Sequence, residues 1–258
     1  MFEEVENKNL EVSKIQMSAD AVLKDDKDRS VPFPLVKTSG FMYQISAASG
    51  MGKTTLLMNI ISKRAKKGNR QSYRNLFDDI IFVSPSANTL KNNPLDDLDE
   101  TKKFSEFNDD VLDKIEELLE ENKQNEEDKH TLLILDDVSI QLRKNRRLEN
   151  RLVNLANNRR HLNLSIIFIT QVFNQAPVGL RKNLNLLFIF KPKTKKELNS
   201  LIDDYFIMDR DKVLKLFDFV YRDKHDFMII DFTLRKSPNF EYFRNYNHIN
   251  ILDGSDNL

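Results

Sequence analysis

The sequence predicts an α/β fold in which a central, mostly parallel sheet is flanked by helices. Three observations predict it. From Phe41 onward, short β-branched or aromatic runs alternate with longer charged stretches, the pattern of parallel strands joined by crossover helices. A glycine-containing segment, Ala47-Ala48-Ser49-Gly50-Met51-Gly52-Lys53-Thr54-Thr55, lies between the first of these runs and a helical stretch. A third run, Leu132–Leu135, delivers two carboxylates, Asp136 and Asp137, at its C-terminal end, where open α/β sheets bind ligands.

Five runs read as buried strands: Phe41–Ser46, Asp79–Ser84, Thr131–Leu135, Leu164–Thr170 and Leu186–Phe190. Asp226–Leu234 reads as a late sixth. Asn108–Asn122 spaces Val111, Leu112, Ile115, Leu118 and Leu119 along one helical face. Leu148–Asn157, Lys195–Ile207 and Arg210–Phe217 read as further helices. The chain divides into an N-terminal arm over 1–40, a P-loop unit over 41–235 and a C-terminal extension over 236–258. The aromatic cluster from Phe240 to Tyr246 is compatible with packing back on the domain or with docking a partner subunit.

A chain of 258 residues can bury about three quarters of its unfolded surface. Lysine plus arginine equals aspartate plus glutamate at 40 each, so net charge selects no partner, although a neutral total can conceal a basic face. Cysteine is absent, which excludes disulfides and thiolate metal sites, and the four histidines are scattered. The acidic N-terminus has no apolar signal region, and no apolar run approaches the roughly 18 residues of a membrane span. The expectation is a soluble, intracellular protein with no membrane span.

The chemistry-bearing residues follow from the phosphate-binding segment. Gly50 and Gly52 let the backbone curl so that successive N–H groups face phosphate oxygens, at the positive N-terminus of the following helix. The expected nucleotide contacts are Ala48, Ser49, Gly50, Met51, Gly52, Lys53, Thr54 and Thr55, with Lys53 reaching the β and γ phosphates of ATP. Thr54 and Asp136 are the expected Mg2+ holders, and Asp137 is the expected general base toward water. Gln171, at the tip of the fourth strand, either reports on the γ-phosphate or satisfies a loop carbonyl. Ala47 replaces the first glycine of the usual pattern, and Asp137 stands where glutamate is common.

Charge adds a separate hint. Arg143, Lys144, Arg146, Arg147, Arg151, Arg159 and Arg160 form a basic stretch opposed in sequence only by Glu149. A second basic run, Lys63–Lys67, follows the P-loop helix. Either could contact nucleic acid or be a solvated helix end.

The ordered set A-A-S-G-M-G-K-T-T, L-L-I-L-D-D, R-R-H-L-N-L-S-I-I-F-I-T-Q and G-L-R-K-N-L-N-L-L-F-I-F resembles the DNA-packaging ATPases of large eukaryotic double-stranded-DNA viruses and virophages. These form the poxvirus-type branch of the FtsK/HerA superfamily. The resemblance runs from about Phe41 to Phe190, and the segments around Arg160–Gln171 and Leu180–Asn183 select it. It implies a RecA-like sheet, a homo-oligomeric ring (pentamer or hexamer) and ATP-driven movement of double-stranded DNA into a capsid. It further implies a capsid or portal-vertex partner and action in the host cytoplasm or virion. Gln171 is implied as a sensor, and an arginine near the fourth strand as a finger acting on a neighbour's nucleotide. Arg160 is the expected finger, with Arg159 and Arg181 as rivals. The alternatives are a helicase-like motor in replication, a P-loop nucleoside or nucleotide kinase, and a non-translocating ATPase switch in assembly.

Overall fold

The computed structural model describes residues 2–5, 40–61, 74, 77–85, 95, 98–124, 129–236 and 239–251. The basic run at 63–67, most of the expected arm and the last seven residues lie outside the described residues. Strands in chain order are β1 (Phe2–Val5), β2 (Met42–Ser46), β3 (Asp79–Val83), β4 (Lys103–Phe104), β5 (Thr131–Asp136), β6 (Leu164–Thr170), β7 (Leu186–Phe190), β8 (Phe227–Lys236), β9 (Asn239–Arg244) and β10 (Asn247–Ile251). Helices are α1 (Lys53–Ile61), α2 (Asp109–Gln124), α3 (Ser139–Lys144), α4 (Arg146–Asn158), α5 (Val178–Arg181), α6 (Lys195–Tyr205) and α7 (Arg210–Val220).

All ten strands join one sheet in the order β1-β10-β9-β8-β7-β2-β6-β5-β3-β4. The run from β7 to β4 is parallel, and β8, β9, β10 and β1 extend it as antiparallel neighbours. The parallel strands are apolar throughout because both faces are covered. Alternate residues face opposite layers: Tyr43, Ile45, Leu132 and Ile134 pack with α1, whereas Met42, Leu133 and Leu135 pack with residues of α2 to α7. Each fully buried Leu, Ile or Phe in these layers stabilises the fold by about 1.5–3 kcal/mol.

The six expected strands and the four expected helices are present, with ends shifted by a few residues. The segment from Phe240 to Tyr246 packs back on the domain, since β9 pairs with β8 and Tyr242, Phe243 and Tyr246 are buried. Phe2–Val5 pairs with β10, so the two ends of the chain meet at one sheet edge.

Register is what places the site. Ser46 aligns with Thr170, Ile169 with Asp136 and Leu135 with Val83, so β2, β6, β5 and β3 finish at one level. The P-loop, Gln171, Asp137 and Ser84 are the residues that follow these ends.

Two helix junctions carry the expected basic stretch. Asn145 caps α4 by accepting from Leu148 N at 3.1 Å and also donates to Asp109 at 2.9 Å. Arg151 reaches Asp109 at 2.9 Å, Asp113 at 2.5 Å and Glu116 at 2.6 Å, all on α2. The reading of this stretch as opposed only by Glu149 is therefore corrected: Arg151 is neutralised by carboxylates over thirty positions earlier. Arg159 is buried in the short 3-10 turn between α4 and β6, donating to Ala156 O at 2.8 Å, Asn183 Oδ1 at 3.0 Å and Asn183 O at 3.1 Å. Its guanidinium ties that turn to the segment entering β7. Arg159→Ala strands these acceptors in the interior and should lower unfolding free energy by about 1.5–3 kcal/mol in a urea titration; an unchanged midpoint would contradict this role.

Candidate nucleotide-binding site

Between β2 and α1 the backbone turns through Gly50 at φ +75° and Gly52 at φ +108°, both in the region that side-chain-bearing residues avoid. Ala47 has no such need. It is buried, keeps a negative φ and donates its N–H to Thr170 O at 3.1 Å, so alanine serves where the usual pattern has glycine. Leu56 N bonds Gly52 O at 2.8 Å, which starts α1 directly beneath the loop, and Met51 N closes the loop's own turn on Ala48 O at 3.3 Å.

Three side chains expected to act together do meet. Lys53 Nζ lies 3.8 Å from Asp137 Oδ1, and Gln171 Nε2 donates to Asp137 Oδ2 at 3.2 Å. Asp137 itself sits at φ +53°, a left-handed conformation that aspartate tolerates far better than longer or branched residues. This explains aspartate in place of glutamate in physical terms: the short carboxylate suits the backbone that aims it. Strain at a strand tip of this kind clusters at functional positions.

Asp136 accepts a hydrogen bond from Ser84 Oγ at 2.9 Å through Oδ2. Burial pushes its carboxyl above the ordinary range, and the neighbouring Asp137 adds to this, while Ser84 and Lys53 oppose it. Thr54 stands exposed at the head of α1. A hydroxyl and a carboxylate with one oxygen uncommitted to Ser84 are hard oxygen donors that suit Mg2+, which also takes substrate phosphates and water. Among the described residues no group of three histidine or acidic side chains forms an all-protein metal cage.

The P-loop opens on a cavity of about 750 Å³, within the usual range of roughly 300–1,000 Å³ for ligand sites. Residues 48–56, Asn59, Asp136 and Asp137 line one side, and Phe190, His225, Phe227 and Tyr246 line the other.

Arg160 is not at this cavity. It is exposed in the turn that precedes β6, at the opposite end of the parallel strands from the P-loop. Its rivals are engaged within their own subunit: Arg159 as described, and Arg181 by ion pairing to Asp204 while lying 5.5 Å over the Phe173 ring.

The sequence profile of the Poxvirus A32 protein matches residues 35–234. The chain belongs to the poxvirus A32 family. No curated protein matches it by sequence search. Among solved structures it is similar to the DNA-packaging ATPase B204 from Sulfolobus turreted icosahedral virus, at 14% identity and TM-score 0.54, over 80% of this chain and 98% of that one. The B204 genome-packaging NTPase of Sulfolobus turreted icosahedral virus 2 in complex with ATP-gammaS gives 14% identity and TM-score 0.53, over 80% and 97%. The pCW3 conjugation coupling protein TcpA gives 11% and 0.51, over 81% of this chain and 61% of that one. At these identities the likeness is one of fold.

Within this A32 family member, sequence reading missed Ser84, which holds Asp136, and the four residues of the far cavity wall. Ser84 had a signal, since it ends a predicted strand at the ligand-binding edge. The wall had none: its residues lie some 140 to 200 positions from the P-loop.

The electrostatics of Asp136 generate a prediction. Its folded-state pKa is raised, so its contribution to stability is full below the unfolded pKa and is lost as pH rises through the folded one. At pH 7 the fold carries a buried charge at a cost that asparagine removes. In EDTA, Asp136→Asn should raise Tm, by about 2–4 °C per kcal/mol of relief, while Mg2+-dependent turnover is lost. A lowered Tm in EDTA would contradict the burial argument.

Proposed function

We propose that this chain is an ATP-hydrolysing motor that packages double-stranded DNA into a viral capsid. The observation that carries the reading is the convergence of Lys53, Asp136, Asp137 and Gln171 at one sheet edge in a member of the poxvirus A32 family. Similarity in fold to the packaging ATPase B204 supports it. The catalytic residues lie within 41–235, and the strands of 2–5 and 239–251 complete the same sheet.

The N–H groups of Gly50, Gly52 and Lys53 cradle the β and γ phosphates, and the Lys53 ammonium neutralises them. Thr54 and Asp136 would hold Mg2+, which would supply charge neutralisation of the phosphates. A γ-phosphate seated there competes for the Lys53 ammonium and releases Asp137 Oδ1. Asp137 then accepts a proton from water, a role worth about 10²–10⁴ in rate. Gln171, already bonded to Asp137, aligns that water and carries the loss of the γ-phosphate into the turn after β6.

Developing charge on the γ-phosphoryl oxygens needs a further cation, worth about 10³–10⁵ in rate when an arginine supplies it in trans. Arg160 is that residue: exposed, and at the end of the strands away from its own P-loop. It completes the site of an adjacent subunit in a homo-oligomeric ring of five or six. Exposed Arg143, Lys144, Arg146 and Arg147 lie near the start of α4, on the nucleotide side of the sheet, and face the duplex phosphates. A capsid or portal-vertex protein receives the ring, in the host cytoplasm at the assembly site or in the virion. No described helix is long and apolar enough to cross a membrane.

Duplex DNA should stimulate steady-state ATP hydrolysis, and the stimulation should weaken steeply with salt as phosphate contacts release counterions. Turnover indifferent to DNA but raised by a nucleoside acceptor would indicate a kinase instead. Mixing Arg160→Ala with Lys53→Ala subunits, each inactive alone, should restore part of the activity at interfaces pairing an intact P-loop with an intact Arg160. Mixed rings verified by mass that show no recovery at any ratio would remove Arg160 from the trans role.

A further inference from the structure

The loop from β7 to α6 carries charge that the nucleotide chemistry does not use. Lys191, Lys193, Lys195 and Lys196 follow Phe190 closely, and all four are exposed. Among the described residues none of their ammonium groups has an ion-pair partner. Their placement also runs against the helix dipole. Lys195 and Lys196 open α6, at the end where unpaired N–H groups favour carboxylates and repel cations. Thr194 fixes that end by accepting from Glu197 N at 3.1 Å, so the crowded lysines are held where they repel both one another and the helix. An anion lying against them relieves both repulsions. Since β7 is parallel to β2, the loop leaves the sheet at the P-loop end, the side on which the α3–α4 cations also lie.

The same loop is tied to the turn that carries Gln171. Glu197, the one acid of this segment, is half-buried and accepts from Lys193 N at 3.3 Å and from the Phe173 N–H. On its other side, Phe173 O accepts from the buried Gln44 Nε2 at 2.7 Å, and Gln44 Nε2 also donates to Thr170 Oγ1 at 3.2 Å. Phe173 is therefore held between the strand that leads into the P-loop and the helix that follows the lysines. The far end of α6 grips it too, with the Tyr205 ring edge-on and centroids 5.9 Å apart. A shift of α6 moves this turn, and the turn sets Gln171 against Asp137.

We propose that Lys191, Lys193, Lys195 and Lys196 contact the phosphates of duplex DNA and that Glu197 passes this contact to the Gln171 turn. The proposal rests on the DNA-motor reading above and gives it a second contact surface with a route to the catalytic water. Ammonium groups on flexible stems suit phosphates as point charges and read no sequence. Duplex lying on the loop steadies the start of α6. Through Glu197 and Phe173 it steadies Gln171, so hydrolysis quickens when DNA is engaged.

The test is duplex binding by the full chain, read by fluorescence anisotropy over a salt series, beside ATP turnover with and without DNA. The combined variant Lys191→Gln, Lys193→Gln, Lys195→Gln and Lys196→Gln should bind duplex about 10- to 100-fold more weakly at low salt, with a salt slope shallower by about one unit per lysine lost. Its DNA-free turnover and assembly mass should match the native chain. Glu197→Ala should keep duplex affinity within about twofold and retain DNA-free turnover, when there is no contact to transmit, while DNA stimulation falls by about tenfold. Glu197→Gln keeps an acceptor oxygen and should recover part of that stimulation. Native affinity and slope in the four-lysine variant, or an assembly that falls apart, would overturn the DNA contact. A Glu197→Ala chain that loses DNA-free and DNA-stimulated turnover in equal measure and melts earlier would make Glu197 a helix cap alone and overturn the coupling. A native chain that binds no duplex would overturn the proposal together with the DNA-motor reading.

Discussion

A cation and a carboxylate face each other across the P-loop, and the rest of the molecule is arranged to keep them there. Lys53 begins α1 and Asp137 directly follows β5, and their 3.8 Å separation depends on β6 lying between β2 and β5 in fixed register. A one-residue slip of either strand would send its alternating side chains to the wrong layer and move the site with them. Burial on both faces forbids that slip. The apolar core therefore acts on the chemistry through register, and four of its members, Leu56, Phe190, Phe227 and Tyr246, also line the cavity.

Charge is sorted by the same scaffold. What reads in sequence as one basic stretch divides in space into arginines with different work. Arg151 staples α4 to three carboxylates of α2, and Arg159 is an interior hydrogen-bond donor that shapes the turn before β6. Arg143, Lys144, Arg146, Arg147 and Arg160 remain on the surface, the first four at one end of α4 and the last at the other. A helix thus separates the cations nearest the nucleotide end from the one at the far end, and each end of the sheet presents positive charge outward.

Much of the fold and half of the site were legible because they are written in contiguous residues. The parallel strands are unbroken apolar runs, and the P-loop and the Asp136–Asp137 pair are each local in sequence. What escaped was non-local or weakly patterned. β4 is only two residues long, and β9 and β10 carry Asn, Glu, Arg and His among their apolar residues, so neither announces a strand. The partners of Arg151 and the aromatic cavity wall are assembled by tertiary contact alone. Asp137 in place of glutamate looked like a departure until the positive φ at that position supplied its reason.

The central claim is that Asp137 is held ready by Lys53 and Gln171 and acts on water, not on the nucleotide or its metal. Asp137→Asn keeps the shape and removes the charge, so measuring ATP affinity and single-turnover hydrolysis on the same preparation separates the roles. The account predicts an affinity unchanged or slightly tighter, since Lys53 loses a competitor for phosphate, with turnover reduced by about 10²–10⁴. Equal losses in affinity and turnover would contradict it and assign Asp137 to the metal.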